Sequence, residues 1–379
     1  MLVIAGGIRR DFDRRYQLHD IDQHALLRPI TKRTWRVERH ADVIPTIYEA
    51  VEVATSGEPG PVFVEIPVDL QLHTGEAGAP AAYRGPPSPS LACTEDSLQR
   101  AAELLRAAKS PALFVGWGAV DAYDEAAKLA DRLGAPVATT LQGLSAFSSG
   151  HALHAGFCLG RAAVPAVENA LRDCDCLLAV GTRFAEIATG SYGWTPPTNL
   201  VHVDVNPRVF SANYPAAVSL EGDARRVLQR LNALLADSPM AVERRASVAA
   251  AIARDKAAYH DEWLGHDPRG RVNPVRFFDA LRRHVRDDAT FVVDDGNHTF
   301  LAAELLPLFR SAGLRRLQLK DLALQGGQPC LGHARRLGDR SIGQIVGKQG
   351  ELHGLASVSH DRRQRDRLSL AATGHRVNA

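Results

Sequence analysis

Two short stretches, CLLAVGTRF (Cys176–Phe184) and NLVHVDVN (Asn199–Asn206), decide how this sequence is expected to fold. Each is apolar along nearly its whole length before polar residues follow, which is typical of a strand with both faces buried. PALFVGWGAV (Pro111–Val120) is predicted to form a strand and a tight turn, and another strand is predicted over 136–140. Helical patterns separate these strands, over 94–108, 123–133, 163–171 and 224–235. The alternation predicts an α/β fold whose parallel sheet is covered on both faces.

The rest of the chain divides around this central region. A helical pattern and then SGEPGPVFVEIPVDL (Ser56–Leu70), a loop leading into a buried strand, end a first α/β unit. A Pro/Gly/Ser-rich stretch follows it and predicts a linker. The predicted organisation is a first unit over 1–75, a linker over 76–93, a central domain over 94–240, a second linker over 241–272, a third unit beginning over 273–311, and an atypical tail over 312–379.

Composition narrows the possible partners. The 379 residues include 45 basic and 43 acidic ones, a formal net charge of +2, so neither nucleic acid nor a membrane surface is the expected partner. No apolar run approaches the roughly 20 residues of a spanning helix, and the first residues are too short for a secretory signal. The five cysteines are interpreted as small buried thiols rather than metal ligands. A soluble cytoplasmic protein that binds a small molecule is expected.

The ends of the predicted central strands carry candidate ligand groups. In open parallel sheets, ligands bind outside the carboxyl ends of the strands, where Arg183 could meet a phosphate and Asp204 a ribose hydroxyl. Surface capping is the alternative role for both. Gly116-Trp117-Gly118 lacks the third glycine of a dinucleotide fingerprint and is interpreted as a turn. The predicted cleft is lined by Gly181, Arg183, Asp204, Asn206, Gly222 and Asp223.

A second candidate site lies in ATFVVDDGNHTFLAAELL (Ala289–Leu306), which predicts a strand, a polar turn and a helix. The turn contains Asp295, Gly296, Asn297 and His298. A glycine turn followed by the free N–H groups of a helix start can bind phosphate. The alternative is a helix N-cap with solvated acids.

Taken together, these motifs resemble the thiamine diphosphate-dependent enzymes, most closely the acetolactate synthase-like and 2-hydroxyacyl-CoA lyase-like branch. The resemblance spans roughly 1–310 and rests on a set of stretches taken in order: HDIDQHALLRPITK, SGEPGPVFVEIPVDL, LLAVGTRF, VHVDVNP, SLEGDARRVL and VVDDGNH. It implies three α/β domains, of which 1–75 is the C-terminal part of the pyrimidine-binding domain and 273–311 begins the diphosphate-binding domain. The central domain holds FAD or ADP in some members.

The resemblance also implies roles for individual residues. Glu65 and Asp69, at the end of the first unit, are expected to serve packing and capping rather than acid/base chemistry. His19 stands where a glutamine near the cofactor is usual, and the turn at 295–298 is expected to contact the diphosphate. The implied cofactors are thiamine diphosphate, Mg²⁺ and FAD or ADP. The implied substrate is a 2-keto acid or a 2-hydroxyacyl compound, and the implied assembly is a homodimer or tetramer.

Several positions depart from the family pattern. The family's catalytic glutamate precedes HDIDQ by about a domain's length and has no counterpart in the sequence, so no catalytic residue is assigned. Gly-Asp-Gly is absent, and Asn378 is the one asparagine after Asn297, so the Mg²⁺ motif is missing. Ile187 replaces an arginine of the FAD-binding members, and their Gly-Met-His-Gly element reads Gly160-Arg161-Ala162-Ala163. An ADP-like ligand or an empty cleft is therefore favoured over tightly held FAD.

Two functional hypotheses follow. The first is a thiamine diphosphate-dependent carboligase or lyase that is inactive as this fragment. The second is a non-catalytic module that binds a nucleotide in the central cleft or has a structural role. In the tail, Arg, Gln, His and Gly are mixed without periodicity, which predicts poor packing and is consistent with a changed reading frame. Nucleic-acid binding by a basic tail is the weaker alternative, because acidic residues are interspersed.

Overall fold

The computed structural model describes residues 1–11, 13–77, 91–286 and 296–306, together with the single positions 83, 85, 88, 289, 291 and 293. The predicted tail over 312–379 and most of the strand predicted before Gly296 lie outside these residues. In the described part, none of the helices combines the length and apolarity needed to cross a bilayer.

The N-terminal unit is a small parallel sheet with helices packed on it. Its strands are β1 (Leu2–Gly7), β2 (Thr34–Arg36) and β3 (Val62–Pro67), in the order β1-β3-β2. Its helices are α1 (Gln23–Leu27), α2 (Val43–Thr55) and α3 (Val68–Leu72). The buried strand predicted after Gly60 is β3, which lies between the other two strands. The edge strand β1 exposes Ile4 to 52%, as expected for a strand that is covered on one side only.

The central domain is built on a six-stranded parallel sheet. Its strands are β4 (Pro111–Val115), β5 (Val137–Thr139), β6 (His154–Phe157), β7 (Cys176–Val180), β8 (Asn199–Asp204) and β9 (Val218–Glu221). Their order across the sheet is β6-β5-β4-β7-β8-β9, and every neighbouring pair is parallel. The chain therefore forms β4 in the middle of the sheet, adds β5 and β6 on one side, and then adds β7, β8 and β9 on the other side. This arrangement confirms the predicted α/β parallel-sheet fold.

Burial on both faces explains why the central strands are apolar throughout. In β7, Leu178 and Val180 pack on one side, while Leu177 and Ala179 pack on the other, and all four are 0% exposed. The first face is covered by α4 (Glu95–Ala107), α5 (Tyr123–Leu133) and α7 (Ala224–Leu234), and the second by α6 (Pro165–Ala170) and α8 (Val242–Gly265). Complete burial of each leucine contributes about 1.5–3 kcal/mol to folding.

Local capping residues set the start of α4 and the end of α5 where the sequence predicts them. The side chain of Thr94 accepts a hydrogen bond from the Ser97 N–H at 3.2 Å and caps α4. Gly134 ends α5 in the left-handed conformation, with φ of +57°, which glycine adopts without a Cβ penalty.

The segment 241–272, predicted to be a linker, contains the 24-residue helix α8. This helix packs on the central domain, where Asn169 Nδ2 donates to Asp255 Oδ2 at 2.8 Å. It also contacts α9 (Pro274–His284) and α10 (Asn297–Leu305), since Tyr259 donates from its hydroxyl to Glu304 Oε2 at 2.6 Å. The predicted linker thus contains a packed helix.

Candidate functional site

The two halves of the central sheet meet between β4 and β7, and the loops after these strands touch through their backbones. Gly116 N donates to Val180 O at 2.8 Å, and Gly118 N donates to Gly181 O at 3.1 Å. A Cβ on Gly118 would lie 2.7 Å from Gly181 Cα, and Gly181 itself has φ of +61°. Three glycines are therefore needed where the strand order reverses, which is the position at which open α/β sheets bind ligands.

Arg183 and Asn206 follow adjacent strands and are brought together at this edge. Both contact Glu58, which belongs to the N-terminal unit: Asn206 Nδ2 donates to Glu58 Oε2 at 2.7 Å, and Arg183 Nη1 lies 3.8 Å from Glu58 Oε1. The Arg183 side chain is 70% exposed. A guanidinium and an amide group thus lie together outside the carboxyl ends of β7 and β8, where open α/β sheets form a ligand crevice, and the guanidinium is accessible to a ligand.

Asp204 lies at the end of β8 and is buried, with 9% exposure. Its Oδ1 accepts a hydrogen bond from the Asn206 N–H at 2.9 Å. The pKa of Asp204 is raised to about 6, chiefly by burial; the nearby Glu58 carboxylate also raises it, whereas the Asn206 N–H and Arg183 lower it. A carboxylate in this position can accept hydrogen bonds from ligand hydroxyls once the pH exceeds its pKa.

Gly222 and Asp223 complete this edge of the sheet in different ways. Gly222 N donates to Asp204 O at 2.9 Å, which joins the end of β9 to the predicted cleft. Asp223 caps α7, with its Oδ1 accepting from the Arg226 N–H at 3.1 Å. Asp223 therefore serves as the N-cap of α7, beside the predicted cleft.

The turn before α10 is not joined to this crevice by the described contacts. Gly296 has φ of +154°, and a Cβ there would lie 2.9 Å from Cε1 of His298, so glycine allows the imidazole to fold over the helix start. A glycine turn and a nine-residue helix fit a phosphate group. Asn297 begins α10, whereas Asp295 lies outside the described residues. Because α10 packs against β6, four strand positions from β8, the two candidate sites are separated by roughly 19 Å of sheet.

His19 is exposed, with φ of +61°, and the described contacts do not connect it with the other predicted site residues. Within the same described part, no group of three or more His, Cys, Asp or Glu side chains is placed to hold a metal ion.

Glu65 and Asp69 are both held by ion pairs within the N-terminal unit. Glu65, 3% exposed, contacts Arg36 Nε at 2.9 Å and His24 Nε2 at 2.9 Å. Asp69 contacts Arg10 Nη2 at 2.8 Å, and the guanidinium holds the pKa of Asp69 below its usual value. Both carboxylates join segments that are distant in sequence, so the packing role expected for them fits their contacts. For Asp69, ion pairing replaces the expected capping.

The cysteines of the central domain fit the buried-thiol interpretation. Burial raises the pKa of Cys158, Cys174 and Cys176 to about 12, so these thiols are poor metal ligands and poor nucleophiles. Cys93 is also a free thiol, and Cys330 lies outside the described residues.

Two described cavities lie away from the predicted cleft, and one of them is lined by residues of α6. That cavity measures about 360 Å³ and lies between Gly160-Arg161 and the segment around Trp194. A second cavity of about 270 Å³ lies between Leu141-Leu144, after β5, and α10. The guanidinium, amide and carboxylate groups of the candidate site converge instead at the ends of β7 and β8, beside the switch point.

Sequence comparison supports the architecture. Residues 98–231 match the sequence model of the family described as thiamine pyrophosphate enzyme, central domain. The acetolactate synthase large subunit of Corynebacterium glutamicum is 29% identical over 316 residues, which cover 81% of this chain and 49% of that protein. The corresponding subunit of Parasynechococcus marenigrum is 29% identical over 376 residues, covering 93% of this chain and 58% of that protein.

A probable acetolactate synthase large subunit of Methanocaldococcus jannaschii is 31% identical over 223 residues, which cover 57% of this chain and 38% of that protein. The chain thus spans about half the length of the curated relatives it matches. The fold and the matched central domain support a class, the thiamine diphosphate-dependent enzymes. Within that class, the chain is similar to acetolactate synthase large subunits.

Proposed function

We propose that the crevice between β7 and β8 binds an adenine nucleotide, either ADP or the ADP portion of FAD. The observation that carries the proposal is the convergence of Arg183, Asp204 and Asn206 beside the glycine contact at the switch point. Phosphate and ribose are the ligand groups that a guanidinium and a carboxylate in such a crevice recognise.

Each group has a distinct role in the proposed complex. Arg183 binds a phosphate oxygen and Asn206 donates from its amide, while Asp204 accepts hydrogen bonds from the ribose hydroxyls. Gly116, Gly118 and Gly181 carry no side chain that would hold a ligand away from the backbone. Ile187 and Gly160-Arg161-Ala162-Ala163 stand where FAD-binding members have other residues, and for this reason we propose ADP before FAD.

We further propose that the chain represents part of a carboligase or lyase acting on a 2-keto acid or a 2-hydroxyacyl substrate. In such a protein the Gly296–His298 turn, with Asp295, would contact the diphosphate of the cofactor, and His19 would lie near its pyrimidine. Thiamine diphosphate would supply carbanion stabilisation when it is bound, whereas the sequence lacks the motif that would hold Mg²⁺ beside it. The proposed assembly is a homodimer or a tetramer.

We propose that this chain by itself is catalytically inactive. The sequence contains neither Gly-Asp-Gly nor a suitably placed asparagine after Asn297, and no catalytic carboxylate is assigned among its residues. A nucleotide-binding role without catalysis is the second candidate function. It is favoured by the crevice itself, whose ligand groups lie on adjacent strand ends.

Calorimetric titration with ADP and FAD tests the nucleotide proposal. We expect saturable binding of ADP, weakened about 5- to 10-fold by Arg183→Ala, since an exposed charged contact contributes about 1 kcal/mol or slightly more. Arg161→Ala, beside the 360 Å³ cavity, is the matched control and should leave ADP affinity unchanged. Absence of binding, or equal affinity for the wild type and Arg183→Ala, would contradict the proposal.

A further inference from the structure

Glu58 is presented to the crevice by a fixed loop of the N-terminal unit. This loop connects α2 with β3, and Lys32 Nζ donates to two of the carbonyl oxygens that precede Glu58, Val53 O at 2.7 Å and Ser56 O at 2.6 Å. Gly57 has φ of +52°, and Pro59 follows Glu58. The position of the carboxylate is thus set by backbone constraints and by a lysine contact.

The carboxylate occupies the place of an anion in the crevice. Its Oε2 accepts from Asn206 Nδ2 at 2.7 Å, and its Oε1 lies 3.8 Å from Arg183 Nη1. These are the amide and the guanidinium that the proposed function assigns to phosphate. A bound phosphate would therefore compete with Glu58 for both groups.

The contact is weak enough to be displaced. The side chains of Glu58 and Arg183 are 46% and 70% exposed, and an ion pair of this exposure is worth about 0–1 kcal/mol. Repulsion adds to the competition, because a ligand phosphate would lie close to the Glu58 carboxylate. Each phosphate charge added to the ligand should therefore increase its affinity by less than it would if the Glu58 carboxylate did not oppose Arg183.

We propose that Glu58 sets the charge selectivity of the crevice. Its carboxylate reduces the preference of the crevice for a nucleoside diphosphate over the uncharged nucleoside. The inference rests on the proposed function, because it concerns the ligand of the same site. Since Glu58 belongs to the N-terminal unit, nucleotide binding would also be coupled to the contact between this unit and the central domain.

A purely structural role for Glu58 predicts a different result. If Glu58 only joined the two units, its substitution would change the affinity for adenosine and for ADP by the same factor. The ratio of the two affinities therefore separates selectivity from structural support. Glu58→Gln is the informative substitution, because glutamine keeps an oxygen that can accept from Asn206 and removes the charge.

The experiment is a calorimetric titration of adenosine, AMP and ADP into the wild type and into Glu58→Gln. The matched control is Glu49→Gln, which removes a carboxylate that pairs with Arg33 elsewhere in the N-terminal unit. We expect Glu58→Gln to raise the ADP-to-adenosine affinity ratio about 3- to 10-fold, with AMP between the two ligands and the control unchanged.

Each outcome decides between the claims. ADP binding to the wild type with a ratio that changes less than twofold in Glu58→Gln would overturn the selectivity inference and leave the proposed function standing. Binding of ADP to Glu58→Gln but not to the wild type would contradict the proposed function for the wild type, while supporting the inference that Glu58 opposes phosphate in the crevice. Absence of binding to both proteins would overturn both claims.

Discussion

Because Asp204 is buried, it keeps its proton at pH values where an exposed aspartate has already lost it. Its pKa is raised to about 6, so the folded state binds more protons than the unfolded chain between about pH 4 and 6. The free energy of unfolding should therefore fall as the pH rises through this window. Asp204→Asn should stabilise the protein at pH 8 by roughly 2 kcal/mol and remove this dependence.

Urea unfolding of the wild type and Asp204→Asn between pH 4 and 8 measures this effect. Asp237→Asn, at an exposed position, is the control. Parallel pH profiles for the wild type and Asp204→Asn would show that Asp204 does not carry the dependence. The same substitution should also weaken ADP binding, because an amide accepts hydrogen bonds from ribose hydroxyls less strongly than a carboxylate.

His154 predicts a dependence in the acidic range with the opposite sign. Its ring is 4% exposed and stacks on Phe147, and burial lowers its pKa to about 3. The unfolded chain therefore binds more protons between about pH 3 and 6.5, and stability falls as the pH decreases through that window. The expected loss between pH 6.5 and 4.5 is about 2 kcal/mol.

His154→Phe should reduce this loss, and urea unfolding at the two pH values measures it. His284→Phe, at an exposed position of α9, is the control. An equal loss of stability in the wild type and His154→Phe would assign the acid sensitivity to other groups.

Among the secondary-structure elements, α8 carries a poorly solvated charge. Burial lowers the pKa of Lys256 to about 8, so the charged side chain destabilises the fold at neutral pH. Between about pH 8 and 10.5 the unfolded chain binds more protons, and stability rises with pH. Lys256→Met should increase the free energy of unfolding at pH 7 by roughly 1–3 kcal/mol. Lys128→Met, on the exposed side of α5, should change it little, and equal effects of the two substitutions would contradict this account.

The loop contact between β4 and β7 gives a second prediction for the elements. Gly118→Ala would place a methyl group 2.7 Å from Gly181 Cα, so the two loops must separate at a cost of roughly 1–3 kcal/mol. We expect lower thermal stability and weaker ADP binding together. Gly265→Ala, where the added methyl meets nothing within 4 Å, is the control. Full ADP affinity in Gly118→Ala would place the ligand away from the switch point.

The sequence predicted those elements whose buried residues form a clear pattern. The uniformly apolar β7 and β8 indicated a parallel sheet, because both of their faces are covered. Helix α8 was missed, since its apolar positions alternate with Arg, Asp and Lys and give no single clear stripe. The short strands β1 and β2 were missed as well, because three to six residues carry little periodicity.

The candidate site was predictable only in part. Arg183, Asp204 and Asn206 follow strand ends, a signal that sequence carries. The contact of Glu58 with Asn206 joins positions 148 residues apart, and nothing in the local sequence around Gly57 indicates it. Only the tertiary arrangement shows that a carboxylate from another unit reaches the crevice.

For the whole molecule, we expect no catalysis by the chain alone. Purified protein with excess thiamine diphosphate and Mg²⁺ should form no acetolactate from pyruvate and cleave no 2-hydroxyacyl substrate. The physical reason is that general acid/base assistance contributes about 10²–10⁴-fold, and no residue of the chain is assigned to it. Cofactor-dependent turnover that is lost in His298→Ala would contradict this expectation, and Glu65 would be the first carboxylate to test.

Hydrogen–deuterium exchange of the full chain with and without ADP locates the bound nucleotide without assuming catalysis. We expect slower exchange in three loops of the central domain, around Gly116–Gly118, Gly181–Arg183 and Asp204–Asn206. Protection confined to the segment around Gly160 and Trp194, or no protection at saturating ADP, would contradict the claim that the crevice at the switch point binds the nucleotide.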